Sequence, residues 1–269
     1  MTQTTTPAAM PDFATALGEI AFEAGKIILG HYGEDHTPVR RKEDHSPVTA
    51  ADEEAEAHIL RALSRLEPGA AVIAEEEVAA GHIAKIGARF FLVDPLDGTK
   101  EFLNRNGEFT VNIAEIRDGV PVSGVVYAPA CNRLFIGDAE AGAFEIATDG
   151  GVYAPQKARA IAARAPAADG LVAVASRSHR DYKTEEWLAS YKVKNFLSAG
   201  SSLKFCLVAS GEADIYPRLG RTMEWDTAAG HAVLAAAGGS VCDLDGKALS
   251  YGKTEAGFAN PFFVARGRI

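Results

Sequence analysis

Asp94-Pro95-Leu96-Asp97-Gly98-Thr99 follows directly on the apolar run Phe90-Phe91-Leu92-Val93. The run reads as a buried strand that delivers two carboxylates, and Pro95, which has no N–H, stops its ladder. Gly98 and Thr99 then read as a tight turn whose backbone N–H groups can face outward. Acids beside free N–H groups suit a divalent cation next to a phosphate, the acids holding the cation and the N–H groups the anion. Asp97 stands three residues after Asp94, so both carboxylates and the Leu96 carbonyl can converge on one ion. Mg²⁺ takes six oxygen ligands at ~2.1 Å and usually keeps several waters among them. The motif therefore points to Mg²⁺-dependent hydrolysis of a small phosphorylated molecule. The bland alternative is a strand-end turn with an Asx cap, which Asp-Gly sequences often make.

Other stretches carry groups of compatible chemistry, each with a structural alternative. Glu75-Glu76-Glu77 follows the short apolar run 71–74; in an extended chain Glu75 and Glu77 would point together and Glu76 away, and a solvated acidic turn would look the same. Trp225-Asp226-Thr227-Ala228-Ala229-Gly230 opens an Ala-rich helix that ends at Gly238-Gly239, with Asp226 placed as its N-cap or as a further cation ligand. His231 inside that helix reads as packed or partly exposed, since no second His stands four residues away. Gly200-Ser201-Ser202-Leu203-Lys204 offers N–H groups, two hydroxyls and a lysine at a helix start, which is either an anion site or a Ser cap. Tyr216-Pro217-Arg218 supplies an aromatic face and a guanidinium, or simply an edge-strand end. Thr49 caps the next helix, with Asp52 and Glu53 at its positive end. An aspartyl-phosphate mechanism of the haloacid-dehalogenase kind is disfavoured, because there the two Asp stand two apart, whereas Pro-Leu fills the gap here.

Positioning these groups requires a substantial frame. The 269 residues are 47% hydrophobic and 23% charged, enough for one large domain or two closely joined ones. Helices are expected over 12–28 with Asp12 as N-cap, over 51–66, 184–191, 201–210 and 226–237. Residues 109–116, 122–127, 133–136 and 143–146 read as an antiparallel meander, and strands at 171–175, 193–197, 213–216, 241–244 and 262–265 alternate with the later helices. Polar residues 33–46 read as a loop or hairpin, and 1–7 as a frayed tail without signal-peptide layout. The expected class is α/β (α+β), an α+β half over 1–157 packed on an α/β half over 158–269. No apolar run is long enough for a membrane span. A net charge of −9 speaks against general nucleic-acid binding. The scattered Cys131, Cys206 and Cys242 form neither a disulfide framework nor metal-ligand spacing, which suits a reducing cytoplasm.

Together these motifs resemble the inositol monophosphatase superfamily of lithium-sensitive, Mg²⁺-dependent phosphatases. Its two signatures are similar to the Asp94–Thr99 and Trp225–Gly230 segments, in the expected order, and the similarity spans 42–261. Ser46-Pro47-Val48-Thr49-Ala50-Ala51-Asp52, residues 92–102, 106–112 and 200–206 resemble one branch, the bacterial CysQ-type 3′(2′),5′-bisphosphate nucleotidases. Lys100-Glu101-Phe102 fits that branch, whereas the inositol branch tends to carry Thr-Asn-Phe. The resemblance implies metal ligands at Glu75, Asp94, Asp97, Asp226 and the Leu96 carbonyl, and two or three Mg²⁺ per site. It implies a phosphate on the N–H groups of Gly98 and Thr99. Asp52 would orient Thr99 and the two would help activate a metal-bound water, with Glu76 assisting near the second metal. Substrate contacts are implied at Gly200, Ser201, Ser202, Lys204, Tyr216 and Arg218. The implied fold is a layered αβαβα sandwich of the inositol monophosphatase and fructose-1,6-bisphosphatase type, often a homodimer. The implied reaction turns 3′-phosphoadenosine 5′-phosphate into AMP and phosphate by in-line attack, clearing a product of sulfate reduction. An inositol or broad sugar phosphatase is the alternative, and a non-catalytic metal or nucleotide sensor a more distant one. Glu224 departs from the apolar or amide residue expected in this branch and is read as negative charge near the nucleotide side.

Overall fold

The computed structural model describes residues 10–33, 39–41, 47–149, 151–176 and 182–268. The expected tail at 1–7, and 34–38 and 42–46 of the expected loop, lie outside them. The described parts of that loop include β1 (Val39–Arg41), which pairs antiparallel with β2 (Pro47–Thr49), as a hairpin would.

Alternating apolar side chains let one strand feed two cores. In β4 (Arg89–Asp97), Phe91 and Val93 join one buried cluster, and Phe90 and Leu92 join another. β4 lies inside a seven-stranded sheet. β3 (Ala71–Ala74) pairs parallel on one side of it. The other side is an antiparallel meander of β5 (Thr110–Arg117), β6 (Val120–Ala128), β7 (Arg133–Asp138), β8 (Gly142–Ala147) and β9 (Arg159–Ile161). The first cluster is roofed by α1 (Asp12–Tyr32) and α2 (Ala50–Leu66) through Leu17, Ile28, Ile59 and Leu63. On the opposite face lie α6 (Leu203–Ala209) and α7 (Ala228–Ala236). Gly137 permits this approach, because a Cβ there would stand 2.4 Å from the Val233 backbone.

The same cluster reaches a second sheet. It is ordered β11 (Val193–Ala199), β10 (Leu171–Ser176), β12 (Ile215–Arg218), β14 (Phe263–Arg266) and β13 (Ser240–Asp243). Ala173, Ile215 and Val264 pack on its far side with Leu188 of α5 (Tyr182–Leu188). The layers thus run helix, sheet, helix, sheet, helix, the αβαβα arrangement that the resemblance implies.

Most elements fall where periodicity puts them; the short helices at Glu75–Ala79 and Thr99–Leu103 and the strand at Arg159–Ile161 are additions, and the other differences sit at element ends. Pro11, not Asp12, occupies the N-cap of α1, and Asp12 is its first helical residue. Thr227, not Asp226, is the N-cap of α7. The helix expected from 201 starts at Leu203. Glu75-Glu76-Glu77 opens a short helix, α3 (Glu75–Ala79), so the alternation of an extended chain does not govern these side chains. Pro95 interrupts the β4 ladder without ending it. Asp94 pairs with Asn112 and Asp97 with Thr110, so Pro95 and Leu96 oppose Val111 alone as a bulge.

Candidate active site

Parallel pairing brings the first two acids together. Ala74 of β3 lies beside Val93 of β4, so the next residues, Glu75 and Asp94, emerge as neighbours. Asp226 arrives from the turn before α7, where its carboxylate accepts the Met223 N–H at 2.7 Å. Glu75, Asp94 and Asp226 each offer an oxygen, all within 4.8 Å of one another. Burial holds the Asp226 carboxyl well above its ordinary range, and the charges of Asp97 and Glu75 push it further up. Converging hard oxygen donors with mutually repelling charges fit Mg²⁺.

Asp97 stands beside this group, outside the three-acid cluster. Its Oδ2 accepts the Ser202 N–H at 2.7 Å and the Ser202 hydroxyl at 3.1 Å. Burial raises its pKa, opposed first by the Lys204 charge and then by the Ser202 bonds. The bulge turns the chain into Gly98, at φ 94°, the left-handed entry to α4 (Thr99–Leu103). A side chain at Gly98 would be strained there and would put its Cβ 2.3 Å from the Ser201 Oγ. Ser201 bonds the carbonyls of Asp97 and Glu108, at 2.8 and 2.9 Å. The Gly200-Ser201-Ser202 turn, expected to face an anion, thus directs its hydroxyls and the Ser202 N–H at the acid loop. Glu76 sits among the half-buried residues of α3, outside the cluster.

Asp52 comes from the first turn of α2. Thr49 holds its Oδ2 through the backbone N–H at 2.8 Å and the hydroxyl at 2.6 Å, completing the capping box. The Thr99 hydroxyl donates to its Oδ1 at 3.1 Å. Burial pushes Asp52 up to about 6, against the lowering effect of the Thr49 bonds.

Asp97 and Asp226 also line a cavity shared with Lys204, Tyr216, Arg218 and Thr222. Lys204 is buried, donates to the Ser201 carbonyl at 2.6 Å and lies 5.3 Å from the centre of the Tyr216 ring. Burial lowers its pKa to about 8, with Asp97 opposing. The Arg218 Nη2 donates to the Arg221 carbonyl at 3.3 Å, while its buried Nε has no partner among the described residues. A buried N–H without an acceptor costs stability unless something else supplies one.

Glu224 is corrected by the structure. It is fully buried and turned to the protein interior: it accepts the N–H groups of Gly252 at 2.7 Å and Lys253 at 2.9 Å, and pairs with the Lys253 ammonium at 2.7 Å. It pins the 252–253 turn and does not line the cavity. His231 is packed, its Nδ1 3.0 Å from the Tyr251 hydroxyl. Sequence reasoning passed over Glu56, which is buried on α2 and bonded to the start of α3. Its signal was a charged residue in register with Asp52, Ile59 and Leu63 on the buried face of a helix.

Known proteins share this fold and much of this sequence. The pattern of the inositol monophosphatase family matches residues 10–267. The 3′(2′),5′-bisphosphate nucleotidase CysQ of Salmonella typhimurium is 47% identical over 246 residues, covering 91% of this chain and 96% of the relative. A crystal structure of CysQ from Bacteroides thetaiotaomicron superposes with a TM-score of 0.79 at 38% identity, covering 95% of this chain and 97% of that one. An inositol monophosphatase from Anabaena superposes at 0.73 with 27% identity, covering 95% and 90%.

Proposed function

The chain belongs to the inositol monophosphatase family, and on that footing we propose that it hydrolyses 3′(2′),5′-bisphosphate nucleotides, releasing AMP and phosphate from 3′-phosphoadenosine 5′-phosphate. One observation carries the reading: Asp226, one of the three clustered acids, and Asp97 line the same cavity as a cationic recess, Lys204 with Arg218. A substrate with two phosphates needs both, one phosphate at the cation site and the other at a fixed positive charge. A 47% identical nucleotidase of nearly equal length supports the same substrate class.

Glu75, Asp94, Asp97 and Asp226, with the Leu96 carbonyl, would hold Mg²⁺. When bound, the cation supplies the Lewis acidity that makes a water more acidic and offsets charge on the phosphate and its leaving oxygen. The chain's own residues orient the reaction. Thr49 locks one oxygen of Asp52, leaving the other for the Thr99 hydroxyl. Thr99 can then take a proton from the attacking water while passing its own to the Asp52 Oδ1, 3.1 Å away. The N–H groups of Gly98 and Thr99 at the start of α4 have no intrahelical acceptor and would take phosphate oxygens. Tyr216 offers the base an aromatic wall. The reading carries with it two or three Mg²⁺ per site, a homodimer and a cytoplasmic setting.

The test is phosphate release from 3′-phosphoadenosine 5′-phosphate in Mg²⁺, in excess chelator, and by Asp97→Asn. The expected result is turnover that chelator abolishes and that Asp97→Asn lowers by roughly 10³-fold, with an unchanged circular dichroism spectrum. Near-wild-type turnover by the variant would refute a metal role for Asp97.

A further inference from the structure

Glu56 is a buried acid that the proposed chemistry leaves unused. It stands one helical turn after Asp52 on α2, so the two carboxylates leave the same face of one rigid element. Asp52 meets Thr99. Glu56 meets α3: its Oε2 accepts the Glu76 N–H at 2.9 Å and its Oε1 the Glu77 N–H at 3.0 Å. Both oxygens are spent on consecutive N–H groups in the first turn of a five-residue helix whose first residue is Glu75. A helix that short has almost no cooperativity of its own, so its start is only as well placed as whatever holds it. Ala74, paired with Val93, fixes the chain on one side of Glu75, and Glu56 fixes it on the other.

We propose that Glu56 is a positioning residue: by holding the N–H groups of Glu76 and Glu77 it sets the Glu75 carboxylate against Asp94 and Asp226, and thereby sets the affinity of the acid cluster for Mg²⁺. The inference rests on the reading of those three acids as the cation site. Partners that orient metal ligands are typically worth about 10–100-fold in metal affinity. Glu56→Gln keeps the side-chain shape but sets an amide NH₂ against one of the two N–H donors.

The test is a calorimetric titration of the metal-free protein with Mg²⁺, without substrate. It compares wild type, Glu56→Gln and Glu115→Gln, the last a buried acid that instead pairs with Arg89 and Arg117 toward the far end of β4. Glu56→Gln is expected to bind Mg²⁺ about 10–100-fold more weakly, with turnover recovering toward wild type at saturating Mg²⁺. Glu115→Gln is expected to lower stability without moving Mg²⁺ affinity. A folded Glu56→Gln that binds Mg²⁺ within about twofold of wild type overturns the proposal, since the expected loss is larger. A wild type that binds no Mg²⁺ overturns the cation site itself. Should Glu56→Gln not fold, amide exchange of the wild-type protein decides: slow exchange at Glu76 and Glu77 is expected, and exchange at unprotected rates overturns the proposal.

Discussion

Arg218 is the residue at which the substrate assignment meets a single atom. Its Nε is buried and lacks an acceptor among the described residues, and it lines the cavity that Asp97 and Asp226 also line. Removing the guanidinium leaves the acid cluster and the Asp52–Thr99 pair intact. A charge-assisted hydrogen bond contributes about 1.5–3 kcal/mol, or roughly 10–150-fold. Arg218→Gln should therefore lower kcat/KM for 3′-phosphoadenosine 5′-phosphate by about that factor while leaving inositol 1-phosphate, which has no second phosphate, nearly unchanged. Steady-state kinetics on both substrates check this, and an equal loss on both would place Arg218 at the scissile phosphate instead. Asp97, Asp94 and Thr99 could be singled out from one hexapeptide, because strand and turn are local, whereas the bulge at Pro95 could not. Glu56 was not, because its role depends on a bond to the start of α3 at residues 76 and 77, and the local pattern marks it only as a charge on the buried face of α2.

At the scale of elements, α7 carries a buried histidine whose protonation opposes folding. His231 is held down to about 4 by burial, against an ordinary 6.5. The unfolded chain therefore binds the extra proton first. The His231 contribution to stability is complete above pH 6.5 and is lost as pH falls from there toward 4, by up to about 3 kcal/mol at about 1.4 kcal/mol per unit. Relative to wild type, His231→Gln should gain stability as pH falls through that window in urea unfolding, and parallel curves for the two proteins would contradict it. The elements themselves followed from hydrophobic period: the meander, the capped α2 and the alternating second half all appear where alternation and 3.6-residue spacing put them. What period does not reveal is how a segment ends. Glu75-Glu76-Glu77 looks extended by continuity with β3 and is helical, with Glu56 supplying acceptors for two of its N–H groups. Asp226 looks like a cap and instead folds back on the Met223 N–H.

Across the whole molecule, the site exists because two sheets share the helical layer between them. β4, α2 and α3 supply Asp94, Asp52 and Glu75 from the first half, while the turns before α6 and α7 supply Ser202 and Asp226 from the second. The halves meet in bonds such as Ser202 to Asp97 and Ser201 to the Glu108 carbonyl. Neither half alone assembles the acid cluster. Glu224 shows why whole-molecule context was needed: beside the Trp225-Asp226 motif it reads as charge on the substrate side, yet its carboxylate serves the 252–253 turn. The proposed substrate of this assembly is a doubly phosphorylated nucleotide. The measurement that tests it most directly is kcat/KM for phosphate release from 3′-phosphoadenosine 5′-phosphate and from inositol 1-phosphate, side by side in Mg²⁺. A preference for the nucleotide of about 10-fold or more is expected, the share of the second phosphate. A preference for inositol 1-phosphate would contradict it, leaving the cation site in place and assigning the cavity to a different substrate.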